Sequence, residues 1–230
     1  MIDTISIYNI SGIVIALVML IVASIIDVWK REIHDYYWLG FGVIGGILAF
    51  MNPDIFLRLL NIGIALIIAP FVILVWRIGL FGGADAFALI ALAVIAPLAT
   101  FSQNPVTPFT SLANAITLFA IPFLINIFRN LISIARNKNI FEGFEENRIK
   151  KIGVMFLGYR AKNPKFCFSI EKIENGKKKL NITIHHAENE EYCIKPDTWV
   201  TPGIPYILLI TGGFIIQLLF GDVLLSLFIK

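Results

Sequence analysis

The 230-residue sequence predicts an all-α polytopic membrane protein of six transmembrane helices, with a small α+β cytoplasmic domain inserted between helices 5 and 6. Three observations predict it. The chain is 57% hydrophobic and only 15% charged, with a mean hydropathy of +0.80. A soluble domain carries about 25% charged residues, and a chain this apolar lacks the polar groups to cover its own surface. The apolar residues gather into six runs near the roughly 20 residues that cross a bilayer core. The charged residues gather instead into one island between about Ser133 and Thr201. The expected layout places helices 1–5 in residues 1–132, the soluble domain in 133–202 and helix 6 in 203–230. With 17 Gly and 2 Cys the chain is neither collagen-like nor a disulfide scaffold.

The first run extends from about Ile10 to Ile26 and the second from about Tyr37 to Met51. The third covers about Ile55 to Val75, the fourth Ala84 to Thr100, the fifth Phe109 to Leu131 and the last Ile204 to Phe228. The second and fourth are short for a full crossing, which fits little tilt or a partly re-entrant path. Asn52-Pro53-Asp54 and Asn104-Pro105 with Pro108 mark turns, and Gly79, Gly82 and Gly83 interrupt the chain before the fourth run. Pro70 and Pro122 fall inside runs, where neighbouring helices or water must satisfy the freed carbonyls. Within the island, Phe166–Ile173 and Lys179–His185 alternate with period two around Glu174-Asn-Gly-Lys-Lys178, which predicts a β-hairpin with an Asn-Gly turn.

Basic residues concentrate on the cytoplasmic side of membrane proteins. With the amino terminus outside, 17 of the 19 Lys and Arg lie inside, leaving Arg58 and Lys230 outside. The short loops alone set Lys30, Arg31 and Arg77 against Arg58. Both termini are therefore expected outside and the island in the cytoplasm. The residues before the first run hold Asp3 and no Lys or Arg, so that run is expected to stay in the mature protein. The net charge of +3 reflects sidedness and does not point to nucleic acid.

An ionisable residue at membrane depth costs roughly 2.5–3.5 kcal/mol on insertion scales, and so suggests function. Three acids lie at the edges of apolar runs: Asp27, Asp85 and Asp222. Run one heads inward and run four outward, so Asp27 and Asp85 are expected at one depth on the cytoplasmic side. Asp222 lies about 18 residues along run six, roughly 27 Å towards the other face, and reads as an interfacial helix end. Two neighbouring carboxyls cannot both ionise readily, which leaves one acid and one base at neutral pH. Such a pair activates water against a peptide carbonyl without a metal or a covalent intermediate. Gly82 and Gly83 lack side chains, which allows an extended peptide to approach Asp85.

Two segments carry a resemblance. Asp27-Val-Trp-Lys-Arg-Glu-Ile-His-Asp35 resembles the Asp-x-x-x-Arg-x-Ile-Pro-Asp/Asn segment of type IV prepilin peptidases. Gly82-Gly-Ala-Asp85 resembles the Gly-x-Gly-Asp motif of these same GxGD intramembrane aspartic proteases. The likeness is closest to their archaeal preflagellin (prearchaellin) peptidase branch, which shares the six spans, the soluble domain before the last and the Trp199-Val-Thr-Pro202 approach to it. It covers essentially the whole chain. It implies Asp27 and Asp85 as catalytic residues, with Arg31, Gly82, Gly83 and Ala84 as motif positions along the substrate channel. It implies cleavage of class III signal peptides from archaellin precursors on the cytoplasmic side. The implied partners are those precursors, the wider set of pilin-like precursors and the lipid bilayer, with neither cofactor nor metal. The chain departs from the pattern at Ala84, where the second motif Gly is expected, at His34 in place of Pro, and at Phe87 in place of a common Lys. No counterpart of the cysteine-rich zinc domain of bacterial members is read here, so N-methylation is not expected.

Other signals carry less. Cys167, His185, His186 and Cys193 lack the paired Cys-x-x-Cys spacing of strong zinc sites, and the two thiols are expected to be reduced in the cytoplasm. Lys177-Lys178-Lys179 reads as a solvated hairpin end, with anionic lipid as the alternative contact. A proton-coupled carrier or channel would use the same two aspartates, but the inverted repeats of many carriers are missing. An assembly protein would keep its activity without either aspartate.

Overall fold

The computed structural model describes residues 7–99, 106–174, 177–181 and 191–223. The chain forms two compact units, Met1–Leu118 with Pro205–Lys230, and Phe119–Ile204. The expected turn at Asn104-Pro105, residues Asn175 and Gly176 of the hairpin turn, His185, His186 and Lys230 lie outside the described residues.

The first unit is helical. It contains α1 (Ile7–Lys30), α2 (Asp35–Phe50), α3 (Ile55–Ala65), α4 (Ile68–Arg77), α5 (Gly83–Ile95), α6 (Thr107–Leu118) and α9 (Tyr206–Phe220). Three stretches are long and apolar enough to cross a membrane: Ile7–Lys30, Ile55–Arg77 and Thr107–Ala135, of 24, 23 and 29 residues. α2, α5 and α9 are shorter apolar helices. Every third or fourth residue of α1 turns outward, with Val14, Val18, Ile21 and Ile25 exposed, while Ala16, Met19, Leu20 and Ala23 are buried. Exposed Trp29 and Tyr36 sit where α1 hands over to α2, a position suited to a membrane interface.

The prolines explain where the helices depart from the apolar runs. The third run breaks at Leu66 and Ile67, because Pro70 has no N–H for the Leu66 carbonyl and its ring crowds it. Pro122 does the same to Leu118, and the fifth run divides into α6 and α7 (Ala120–Ala135) at Phe119. The fourth run ends at Ile95 rather than Thr100: Ala96 precedes Pro97 and takes φ −136°, ψ 61°.

Ending α5 early leaves polar backbone inside an apolar unit, and side chains satisfy it. The Ala99 N–H donates to Thr107 Oγ1 at 2.6 Å, and Gln217 Nε2 donates to the Ala99 carbonyl at 3.0 Å. Ser111 Oγ in turn donates to Gln217 Oε1 at 2.6 Å. α6 and α9 lie close because Gly213 has no Cβ; one there would strike the Ser111 carbonyl. Asp222 follows the α9 terminus at Gly221 (φ 75°), at a helix end as expected, and is buried.

α5 is the central helix: α1, α2, α3, α4, α6 and α9 all pack against it. Its two ends are held differently. At the C-terminal end, Arg58 of α3 is buried and its Nη2 donates to the Ile95 carbonyl at 2.6 Å. A cation there complements the negative end of the helix dipole.

The second unit contains α7, α8 (Arg148–Leu157), β1 (Tyr159–Ala161), β2 (Cys167–Ser169), β3 (Glu171–Glu174), β4 (Lys177–Leu180) and β5 (Thr198–Pro202). β5 is the centre of an antiparallel sheet of order β1-β5-β2. The expected hairpin forms between β3 and β4, with Glu174 opposite Lys177. The alternating run 166–173 is two strands rather than one: β2 pairs with β5 and β3 with β4, and the chain changes sheet at Ile170, whose N–H donates to the Trp199 carbonyl at 3.0 Å. Trp199 is fully buried, stacks on Phe141 and donates from Nε1 to the Ile140 carbonyl at 2.8 Å. Asn126 and Asn130 of α7 donate to the Phe156, Met155 and Gly158 carbonyls at 2.8–3.1 Å, which satisfies the C-terminal end of α8.

Candidate active site

Asp85 occupies the third position of α5. Its Oδ2 accepts the Gly82 N–H at 3.1 Å, and its own N–H reaches back to the Gly82 carbonyl at 3.2 Å. This is the acidic half of a capping box; Gly82 has no side chain to supply the other half. The carboxyl is buried, 8% exposed, and rests on the positive end of a helix, where a negative charge is favoured. Gly82 therefore matters first to Asp85 itself: a Cβ there would lie 3.3 Å from Oδ2. Gly83 lies against α4, where a Cβ would come within 3.2 Å of the Trp76 indole. Ala84 is half-buried against the core, and Phe87 packs on Trp76 at 5.8 Å.

Asp27 lies in the last turn of α1 and is half-buried. The Arg31 N–H closes that turn on the Asp27 carbonyl at 3.0 Å. Arg31 itself takes a left-handed backbone (φ 59°), a conformation that costs a non-glycine residue on the order of 1 kcal/mol. It turns the chain sharply from α1 towards α2 and keeps its guanidinium within electrostatic reach of Asp27.

Three contacts place the two segments. Gly12, near the start of α1, faces the end of α5: a Cβ there would lie 2.7 Å from the Ile95 carbonyl. One turn before Asp27, the Ser24 and Thr211 hydroxyls meet at 2.7 Å, and Thr211 also donates to the Leu20 carbonyl at 3.2 Å. Four residues before Asp85, Phe81 packs on Tyr206 with ring centroids 4.8 Å apart. Helices α1 and α5 thus run in opposite directions, and Asp27 and Asp85 lie at the same end of the unit. Both segments lean on the first two turns of α9. Tyr206 is also within electrostatic reach of Asp85. The Tyr37 hydroxyl adds a further tie, donating to the Met19 carbonyl at 2.6 Å and fixing α2 to α1.

Tyr206, Thr211 and Trp76 escaped the sequence reading. A polar residue inside an otherwise apolar helix is a signal of interhelical bonding, so Thr211 was open to discovery. The partner of each was not, because it lies on a remote stretch of chain.

Residues 14–128 match the profile of the Type IV leader peptidase family, and residues 150–223 match the Archaeal Peptidase A24 C-terminus Type II. The chain belongs to the Type IV leader peptidase family. Its likeness to individual members runs nearly end to end. It is 30% identical over 228 residues to the Preflagellin peptidase of Methanococcus maripaludis, covering 91% of this chain and 95% of that one. It is 24% identical over 231 residues to the Preflagellin peptidase of Methanocaldococcus jannaschii (94% and 97% covered). It is 27% identical over 238 residues to that of Methanococcus voltae (93% and 96%). The leader peptidase match runs from within α1 into α7 and thus covers both aspartate segments, and the archaeal match begins in α8 and runs through α9.

Proposed function

We propose that this leader peptidase is an intramembrane aspartic endopeptidase that removes class III signal peptides from archaellin (flagellin) precursors, with Asp27 and Asp85 as its catalytic pair. The observation that supports this reading most is the placement of two family-motif carboxyls at one end of a helical unit, on segments that share α9 as their support. The names of the three relatives supply the substrate class.

In this reading the chain crosses the membrane six times, with both termini outside and residues 133–202 in the cytoplasm. The pair then works at the cytoplasmic face. One carboxylate takes a proton from a water molecule, and that water attacks the scissile carbonyl. The other, protonated, donates a hydrogen bond to the carbonyl oxygen as negative charge develops there. As the tetrahedral intermediate collapses, the proton on the first carboxyl passes to the leaving amine. The Gly82 N–H fixes Asp85 in one orientation throughout, and Arg31 balances the charge at Asp27. Gly82, without a side chain, leaves the approach to Asp85 open to an extended peptide backbone, whereas the missing side chain of Gly83 makes room for the Trp76 indole.

The test is processing of an archaellin precursor by membranes carrying the wild type, Asp27→Asn or Asp85→Asn. Either substitution is expected to reduce cleavage by roughly 10²-fold or more, with the protein still in the membrane fraction. Full processing by either variant would reject the mechanism.

A further inference from the structure

The second unit holds a cavity of about 520 Å³ in which four cationic side chains, Arg129, Lys138, Arg160 and Lys162, face two acids, Glu142 and Asp197. A volume of this size holds a small ligand. The charges are unequally engaged. Arg160 grips Asp197 with a two-pronged bond, Nε to Oδ1 at 2.9 Å and Nη2 to Oδ2 at 2.7 Å, so that pair is internally neutral. Glu142 then stands alone against Arg129, Lys138 and Lys162. Among the described residues, neither Lys138 nor Lys162 has an ion pair.

Arg129 is set up for an anion. Its guanidinium lies over the Tyr159 ring, 3.6 Å from the centroid. Arg129 thus brings a planar guanidinium to the cavity wall, the group whose paired N–H donors suit phosphate oxygens.

The wall of the cavity indicates where the anion comes from. Ile132 and Ser133 of α7 line it. On the same helix Phe128, Leu131 and Ile132 are each at least half exposed. α7 ends the apolar stretch Thr107–Ala135 of 29 residues. Taken as a membrane span, its 29 residues exceed the roughly 20 that cross the hydrocarbon, so the last turns of α7 fall in the headgroup layer. The basic cavity is thus continuous with a surface fit for acyl chains.

We propose that this cavity is a phosphate-binding site that takes the phosphate of a membrane lipid headgroup, held by Arg129, Lys138 and Lys162, with the lipid chains along Phe128 and Ile132. The site is independent of the proteolytic reading: it uses none of the residues of the aspartate segments.

The experiment uses the purified full-length protein in a neutral detergent, with dioctanoyl phosphatidylglycerol, dioctanoylglycerol and inorganic phosphate as separate probes. Wild type is expected to bind the phospholipid at least 10-fold more tightly than the phosphate-free diacylglycerol. Lys162→Glu and Lys138→Gln, both at exposed positions, are expected to weaken phospholipid binding by 5-fold or more. Arg129→Ala is expected to weaken it most. Lys165→Gln, an exposed charge outside the cavity, serves as the control and is expected to change nothing. Inorganic phosphate bound as tightly as the phospholipid would keep the anion site but assign it to a soluble phosphate, overturning the lipid source. Equal binding of diacylglycerol and phospholipid, or unchanged binding by both Lys162→Glu and Arg129→Ala, would overturn the proposal. So would a polyglutamate peptide that binds more tightly than either phosphate compound.

Discussion

The two units solve the same problem, polar groups inside a fold, by different chemistry. The helical unit is pinned by short, buried hydrogen bonds: Ser24 to Thr211, Tyr37 to the Met19 carbonyl, Arg58 to the Ile95 carbonyl, Ser111 to Gln217. The Phe119–Ile204 unit carries ion pairs at its surface, such as Lys177 with Glu145 and Lys179 with Glu174. The difference follows from the surroundings. An apolar environment makes an unpaired donor or acceptor costly, whereas exposed charges gain little from one another in water and less in salt. Precision in the aspartate segments therefore depends on a few short buried bonds, and the exposed pairs of the Phe119–Ile204 unit tolerate change.

Substitutions can break this contrast, and the largest effect is expected at Arg58. Arg58→Met leaves the Ile95 carbonyl without its 2.6 Å donor and removes the charge at the end of α5. A loss of roughly 2–3 kcal/mol is expected, read as a lower midpoint of thermal unfolding in detergent, with precursor cleavage reduced because α5 carries Asp85. Unchanged stability would show that the end of α5 needs no charged cap.

Gly82→Ala comes next. Its new Cβ would press on Asp85 Oδ2 from 3.3 Å, so catalysis should fall about 10-fold while stability changes by under about 1 kcal/mol. A stability loss without a kinetic one would reverse the order of these two roles. Thr211→Val removes the bond to Ser24 beside Asp27 and should cost roughly 0.6–1.7 kcal/mol, the range for hydrogen bonds between membrane helices. Its effect should not change with ionic strength, in contrast to any substitution in the surface pairs.

The smallest effect sharpens the comparison through pH. Burial pushes the Glu146 carboxyl up, but the Lys150 ammonium and the Leu180 N–H outweigh it and hold the group below the ordinary glutamate value of 4.5. The Lys177 ammonium does the same for the exposed Glu145, and Lys179 for Glu174. A depressed carboxyl contributes stability that is complete above its unfolded value and is lost as pH falls through its folded value. Hydrogen exchange in β3 and β4 of the full-length protein should therefore accelerate as pH drops below about 4.5, after correction for intrinsic rates. Glu146→Gln should flatten that dependence. Lys150→Gln should cost only about 0.2–1 kcal/mol, the range for single ion pairs near a surface.

Much of the architecture was legible in the residues. Six apolar runs marked where helices lie, but Pro70 and Pro122 were expected to be tolerated inside unbroken runs, and the fourth run was expected to reach Thr100. Pro97 ends α5 at Ile95, and Pro70 and Pro122 cut two runs in half. These shifts follow from a rule that acts on the carbonyl four residues back and on the residue just before proline. The alternation of 166–173 identified strand but not that Ile170 divides it between two sheets, because period two reports burial and not pairing partner. Asp27 and Asp85 stood out because a carboxyl beside small residues at the edge of an apolar run has no cheap structural explanation. The support around them did not stand out: Tyr206 begins an apolar helix about 120 residues after Asp85, and nothing local marks it.

The sequence by itself determined that the chain is built from apolar helices around one polar island, and which two acids deserve notice. Composition and periodicity are local properties, and burial of apolar surface follows from them without regard to partner. Only the tertiary structure decided that α5 lies at the centre, that Arg58 caps one end of it while Gly82 orients Asp85 at the other, and that α9 supports both aspartate segments. Those outcomes depend on directional bonds and close approaches between stretches remote in sequence. Such contacts are specified by shape in three dimensions, and no single stretch of sequence encodes them.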